Sequence, residues 1–271
     1  MNRSTGARLC ATAVVGALSL ALLTGCSDNG SDNGGSGDGK DAGSSEQAKT
    51  YTKAELEKLI IAQGDVTGYK VEPVDKELST DKSKLKGDEK CLPLAYVMSG
   101  LAPTDAPAET NTMATQEKKP SDAASKSLDD LADGAAEDAL ADAMSVDVTV
   151  VALSSYDGEG AADAFKAVSD AVKDCAGGFS ATDGASADDE GKFNKVAEAK
   201  AVGATGDEAV AFTATGEMDA DTGETADVHA QVVRHGNTIA SYFTMNLGAM
   251  MTGKDYTVPA AVVNAQGAKL K

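Results

Sequence analysis

The sequence predicts an α+β domain: a twisted antiparallel sheet with helices packed on one face, stapled by a single disulfide. Three observations predict it. Strand-length segments in the C-terminal half follow one another through short turns rather than through helices. Helical patterns stand before those strands and after them. Of the four cysteines, only two fall in the region that reads as folded.

Tyr51 to Ala62, YTKAELEKLIIA, opens the domain as a helix, because Thr52 and Glu55 are spaced for a capping box and Tyr51 can staple onto Leu56. Leu56, Leu59 and Ile60 supply its apolar face. A glycine-containing turn from Gly64 leads into a short strand around Tyr69 and Val71. Cys91-Leu92-Pro93 begins a short helix ending at Gly100, with proline suited to the first turn. From Ala102 to Gly134 the chain is rich in Ala, Ser, Thr, Asp and Pro, so a long loop is expected, with a weak helix over Leu128 to Met144. SVDVTVVALSSY, from Ser145 to Tyr156, is a strand apolar on both alternations and therefore central.

The following segment, EGAADAFKAVSDAVKDCAGG, is helical. Ala161, Phe165, Val168, Val172 and Cys175 recur at intervals of four and three, which puts them on one stripe facing the core. Four strands then follow: FNKVAEAKAV, DEAVAFTATGEM, ADVHAQVVRH and TIASYFTMNL, the last two joined by a hairpin at Arg234 to Asn237. Ile239, Ser241, Phe243, Met245 and Leu247 share one face and Tyr242 lies on the other. Val258-Pro259-Ala260 starts a final helix that runs through Leu270.

The first fifty residues speak to location. Arg3 and Arg8 precede an uncharged stretch from Leu9 to Leu23, a secretory length and short of the roughly twenty residues a membrane span needs. Leu23-Thr24-Gly25-Cys26 resembles a bacterial lipobox, in which Cys26 receives a palmitate-type lipid anchor and becomes the first mature residue. Residues 1–25 are thus expected to be a leader, 26–50 a Ser/Gly/Asp/Asn tether, and 51–271 one extracytoplasmic domain, loop-rich over 102–144. A flexible tether of this length spans on the order of 25 to 30 Å. In an exported chain, the two remaining cysteines, Cys91 and Cys175, form one disulfide; two sulfurs and two histidines make a poor metal set.

Loss of residues 1–25 removes two of the 24 basic residues and none of the 43 acidic ones, leaving a formal charge of -21. Nucleic acid is therefore a poor partner. Several motifs suggest chemistry and fail on inspection. GAMMTGKD, from Gly248 to Asp255, lacks the Ser or Thr that a P-loop requires; GEGAAD, from Gly158, sets Asp163 where a pyrophosphate would need glycine. STDK at Ser79 and SDN at Ser31 do not form a preorganised set, and DADTGE at Asp219 does not complete a calcium loop, since Ala230 stands at its last position. His229 and His235 have no evident nucleophile beside them. No catalytic residue, metal or cofactor is expected.

The LxxL at Leu56 and Leu59, Cys91 with Pro93, SSY at Ser154 to Tyr156 and FxxVxxxVxxC ending at Cys175 together resemble a group of actinobacterial cell-envelope lipoproteins. These are akin to the PknH-type extracellular sensor domain of mycobacterial receptor kinases. GDEA at Gly206, GNTIA at Gly236 and VPAAVVNAQGAKL at the end extend the likeness. The resemblance implies an α+β, disulfide-stapled, non-catalytic domain with a ligand cleft between sheet and helices. The expected function is a membrane-anchored, extracytoplasmic binding or sensor-like lipoprotein, its partner an unknown small molecule. The alternative is an envelope interaction or scaffold protein with a filled core and an apolar patch near Tyr242 or Phe243. If Cys26 carries the anchor, Cys26→Ser will move the chain from the membrane pellet to the soluble fraction; retention in the pellet would show another attachment.

Overall fold

The computed structural model describes residues 49–75, 79–118, 141, 144–182, 190–203, 206–219 and 223–271. The expected leader, Cys26 and nearly all of the expected tether lie outside them. Residues 46–271 form one compact unit that holds its cores and its disulfide within itself, as an independently folding domain does.

The framework is a single antiparallel sheet of nine strands in the order β1-β3-β4-β9-β8-β7-β6-β5-β2. The strands are β1 Tyr69–Glu72, β2 Lys86–Gly87, β3 Ala108–Gln116, β4 Val148–Ser155, β5 Phe179–Thr182, β6 Glu190–Ala199, β7 Glu208–Asp219, β8 Glu224–His235 and β9 Thr238–Met245. Its centre is built from consecutive hairpins. The turn between β8 and β9 runs through Gly236 at φ +57°, a left-handed conformation glycine takes without strain, and His235 pairs with Thr238 across it. β4 then lies along β9 from Val148 opposite Met245 to Ser155 opposite Thr238.

Five helices are described: α1 Lys53–Leu59, α2 Leu92–Met98, α3 Gly160–Asp174, α4 Leu247–Thr252 and α5 Ala260–Lys269. They cover both faces of the sheet, which corrects the expectation of helices on one face. Ile239, Val228, Ala230, Val232 and Phe212 form one core with α2 and α3. Ala240, Tyr242, Val151, Leu153 and Val233 form a second core with α1 and α5 on the opposite face. The reason lies in the central strands, where both alternations are apolar and neither face can be left in water.

Other departures also have local causes. The stretch expected to be a loop from residue 102 contains β3, which pairs with β1 and β4. Its sequence, AETNTMATQ, is mostly polar and half-buried, so periodicity carries little signal there. Residues 119–140 of that stretch are not described. The opening helix stops at Leu59, short of Ala62. Gln266 of α5 takes over its last bonds, accepting from the Ile61 N–H at 2.9 Å and donating to the Leu59 carbonyl at 3.0 Å. At the other end the capping box forms as expected, with Thr52 N–H on Glu55 Oε2 at 2.9 Å. The hydrogen bonds from Thr52 hold the Glu55 carboxyl down to about 2. β9 ends at Met245, and Leu247 starts α4 rather than extending the strand, because the Asn246 side chain accepts the Ala249 N–H at 3.0 Å and caps a helix.

Cys91 and Cys175 form the disulfide, with their Cα atoms 6.0 Å apart. Cys91 caps the start of α2 and Cys175 the end of α3, and both are buried. α3 lies close to the sheet because its buried stripe is small: Ala161, Ala164, Val168, Ala171 and Val172. The bridge closes a separation of 84 residues, for which chain entropy predicts a stabilisation of about 4 to 5 kcal/mol. The double variant Cys91→Ala/Cys175→Ala is expected to lose stability of that order in urea denaturation. An unchanged midpoint would show that the bridge only follows a geometry set by the helices.

Candidate functional site

α2 and α3 cover part of their face of the sheet, and beyond them the face opens into a cavity of about 870 Å³. Its floor is a row of residues running across neighbouring strands at one end of the sheet. Phe193 of β6 pairs with Gly216 of β7, which pairs with Ala226 of β8; Val228, Phe243, Met245 and Val148 continue the surface. Ala95 and Met98 of α2 form one wall, Leu247 and Met250 of α4 another, and Met144 and Val146 close the β4 side.

The strand geometry is locally irregular where the cavity lies. The register shifts between Phe193 and Lys195 and again between Glu217 and Asp219. Such bulges re-aim side chains, and here Gly216, Glu217 and Met218 all border the same space in spite of their alternation. Gly216 keeps the floor open. A Cβ there would stand 3.2 Å from the Phe193 ring, which is itself stacked on Phe179 at 5.0 Å between centroids.

The lining is almost wholly apolar, and five of its members are methionines: Met98, Met144, Met218, Met245 and Met250. Methionine is unbranched and polarizable, and it adapts to irregular ligands. Among the described residues, the charged groups at the wall are Lys192 and Glu217, 3.0 Å apart and neutralising one another. The large hydrophobic side chains that stand exposed among the described residues gather at this opening. Met218 is 53% exposed, Met245 39% and Leu247 42%, and Met251 at 57% follows Met250 in α4. A soluble surface normally scatters such residues. Tyr242, by contrast, is fully buried on the other face, so the apolar patch sits beside Phe243 and not at Tyr242.

The sequence motifs weighed above fall elsewhere. In GAMMTGKD the helix α4 precedes the glycine loop, and Gly253 ends it at φ +63°, the reverse of a phosphate-binding loop. Gly158, at φ +55°, turns the chain from β4 into α3. Lys82 of STDK donates to the Ala102 and Thr104 carbonyls at 3.1 and 2.6 Å and lies 4.6 Å over the Tyr96 ring. DADTGE lies at the β7–β8 turn, with residues 220–222 outside the described set. Among the described residues no cluster of His, Cys, Asp and Glu could hold a metal. A smaller recess of about 360 Å³ borders Asp207, His235 and Lys271. Its Asp207 carboxylate is already bound to the Gly236 N–H at 2.7 Å and to Arg234 at 3.2 Å.

His229 Nδ1 lies 3.0 Å from Thr213 Oγ1, and its ring meets Tyr256 edge-on at 4.5 Å. Burial pushes the Tyr256 hydroxyl up to about 12. Burial also lowers the pKa of both histidines, against Asp227 and Asp255 near His229 and Asp207 near His235. Neither histidine borders the large cavity. Because the unfolded chain then binds more protons than the fold, stability is full above the unfolded value of roughly 6.5 and falls as pH drops below it. Denaturation midpoints measured down through that window should decline, and His229→Asn/His235→Asn should flatten the decline. A slope unchanged in the variant would place its origin in other groups; the lowered carboxylates of Asp65, Asp81 and Asp170 act at lower pH.

No family model matches the chain, and no curated protein matches it. Among solved structures, the extracellular domain of PknH from Mycobacterium tuberculosis is similar in fold at 10% sequence identity, with a TM-score of 0.45, 82% of this chain and 96% of that one being covered.

Proposed function

We propose that this chain is a lipid-anchored, extracytoplasmic binding protein whose non-catalytic domain holds an apolar small molecule. The observation that carries the reading is the cavity of about 870 Å³, methionine-lined and framed by exposed apolar side chains. The lipobox ending in Cys26, the polar tether and the Cys91–Cys175 disulfide support the export and the anchor. No helix among the described residues is long and apolar enough to cross a membrane. The sensor-like role is part of the same proposal: ligand occupancy would be reported outward by a domain held at the surface.

The interaction-protein alternative required a filled core without a cleft, and the cavity counts against that form of it. Native mass spectrometry of the chain from Ser27, purified from its own envelope extract, tests the binding reading. A non-covalent mass that is lost on denaturation is the expected result. A bare chain at every extract concentration would remove the support for a ligand.

A further inference from the structure

We infer that the cavity takes the long acyl chain of a lipid whose headgroup is uncharged or zwitterionic. The inference rests on the reading of the cavity as a ligand site and specifies its occupant. A rigid polar ligand is held by a few convergent donors and acceptors. Here the walls offer Thr80, Ser99 and the Lys192–Glu217 pair, whose charges already satisfy one another. A flat aromatic ligand would be gripped by stacking, yet Phe193 already has Phe179 on one face. What remains is a surface of aliphatic side chains and Phe243 interleaved with five flexible thioethers, which adapts to a flexible aliphatic chain.

The opening agrees with that occupant. Met218, Met245 and Leu247 carry the apolar lining outward into solvent, so an acyl chain meets hydrocarbon along its path in and leaves its headgroup outside. The formal charge of -21 expected for the mature chain disfavours anionic ligands in general. Lys192, the one cation at the wall among the described residues, is matched by Glu217.

The test uses the chain from Ser27, which keeps the whole compact unit. N-phenylnaphthylamine serves as a fluorescent reporter of apolar binding. It is displaced by lysophosphatidylcholines from decanoyl to palmitoyl, each below its micelle concentration, and by lysophosphatidylglycerol of matched length. Affinity should rise about fourfold per methylene until the cavity is filled, the equivalent of roughly 0.8 kcal/mol for each buried methylene. The anionic series should bind more weakly at low salt. Ala226→Phe, which fills the floor, should abolish reporter and lysolipid binding while circular dichroism stays unchanged. If that variant does not fold, Met245→Gln at the mouth should weaken lysolipid binding severalfold.

Reporter binding with no dependence on chain length would overturn the acyl inference and leave the apolar site standing. Equal or tighter binding of the anionic series would overturn the headgroup assignment. Binding unchanged in a folded Ala226→Phe chain would place the site outside the cavity. Absence of reporter and lysolipid binding alike would overturn both readings.

Discussion

The covalent bond between Cys91 and Cys175 sets the arrangement on which the candidate site depends. It ties the first turn of one short helix to the last turn of a longer one, on a face of the sheet that neither could cover alone. α2 has seven residues, a length that is marginal without tertiary support. Pinned to α3, its end carries Ala95 and Met98 to the edge of the uncovered floor, where they become a wall. The alanine stripe of α3 adds the complementary constraint, since small side chains keep that helix low on the sheet and leave the neighbouring region open.

Much of the scaffold could be read from residue patterns, and the reasons differ by element. The capping box at Thr52 and Glu55, the stripe ending in Cys175 and the hairpin at Gly236 are local signals, and local signals survive folding. β3 could not be read, because its polar residues become a strand only when β1 and β4 provide partners. The shortening of α1 depends on Gln266, more than two hundred positions away. The covering of both faces follows from the apolar character of both alternations in β4, which leaves neither side of the sheet to water. Asn246 sits between a strand pattern and two methionines, and only its capping bond shows that α4 begins there.

The site itself was the least legible part. The composition is poor in aromatics and has no tryptophan, which argues against a stacking platform. The same sequence has eight methionines spread from residue 1 to 251, with nothing in their spacing to show convergence. Five of them meet only because β7 and β9, which flank β8, two helices and the segment leading into β4 border a common space. An apolar cavity in an alanine-rich chain is thus outlined by methionine, a role for which larger aromatic side chains would be the usual means.

The entry of the chain into the domain has a mechanical consequence. Thr50 donates to the Tyr156 carbonyl at 3.1 Å, and the Tyr51 N–H donates to Ser155 Oγ at 2.8 Å, both just past or at the end of β4. The cavity borders Val148, at the beginning of that strand, roughly 23 Å away for the rise of an extended chain. A force applied through the N-terminal segment therefore enters the sheet at the Ser155 end of β4. The methionine-lined end of the same strand lies away from that point of entry, so the chain enters the domain at one end of β4 and the cavity opens at the other.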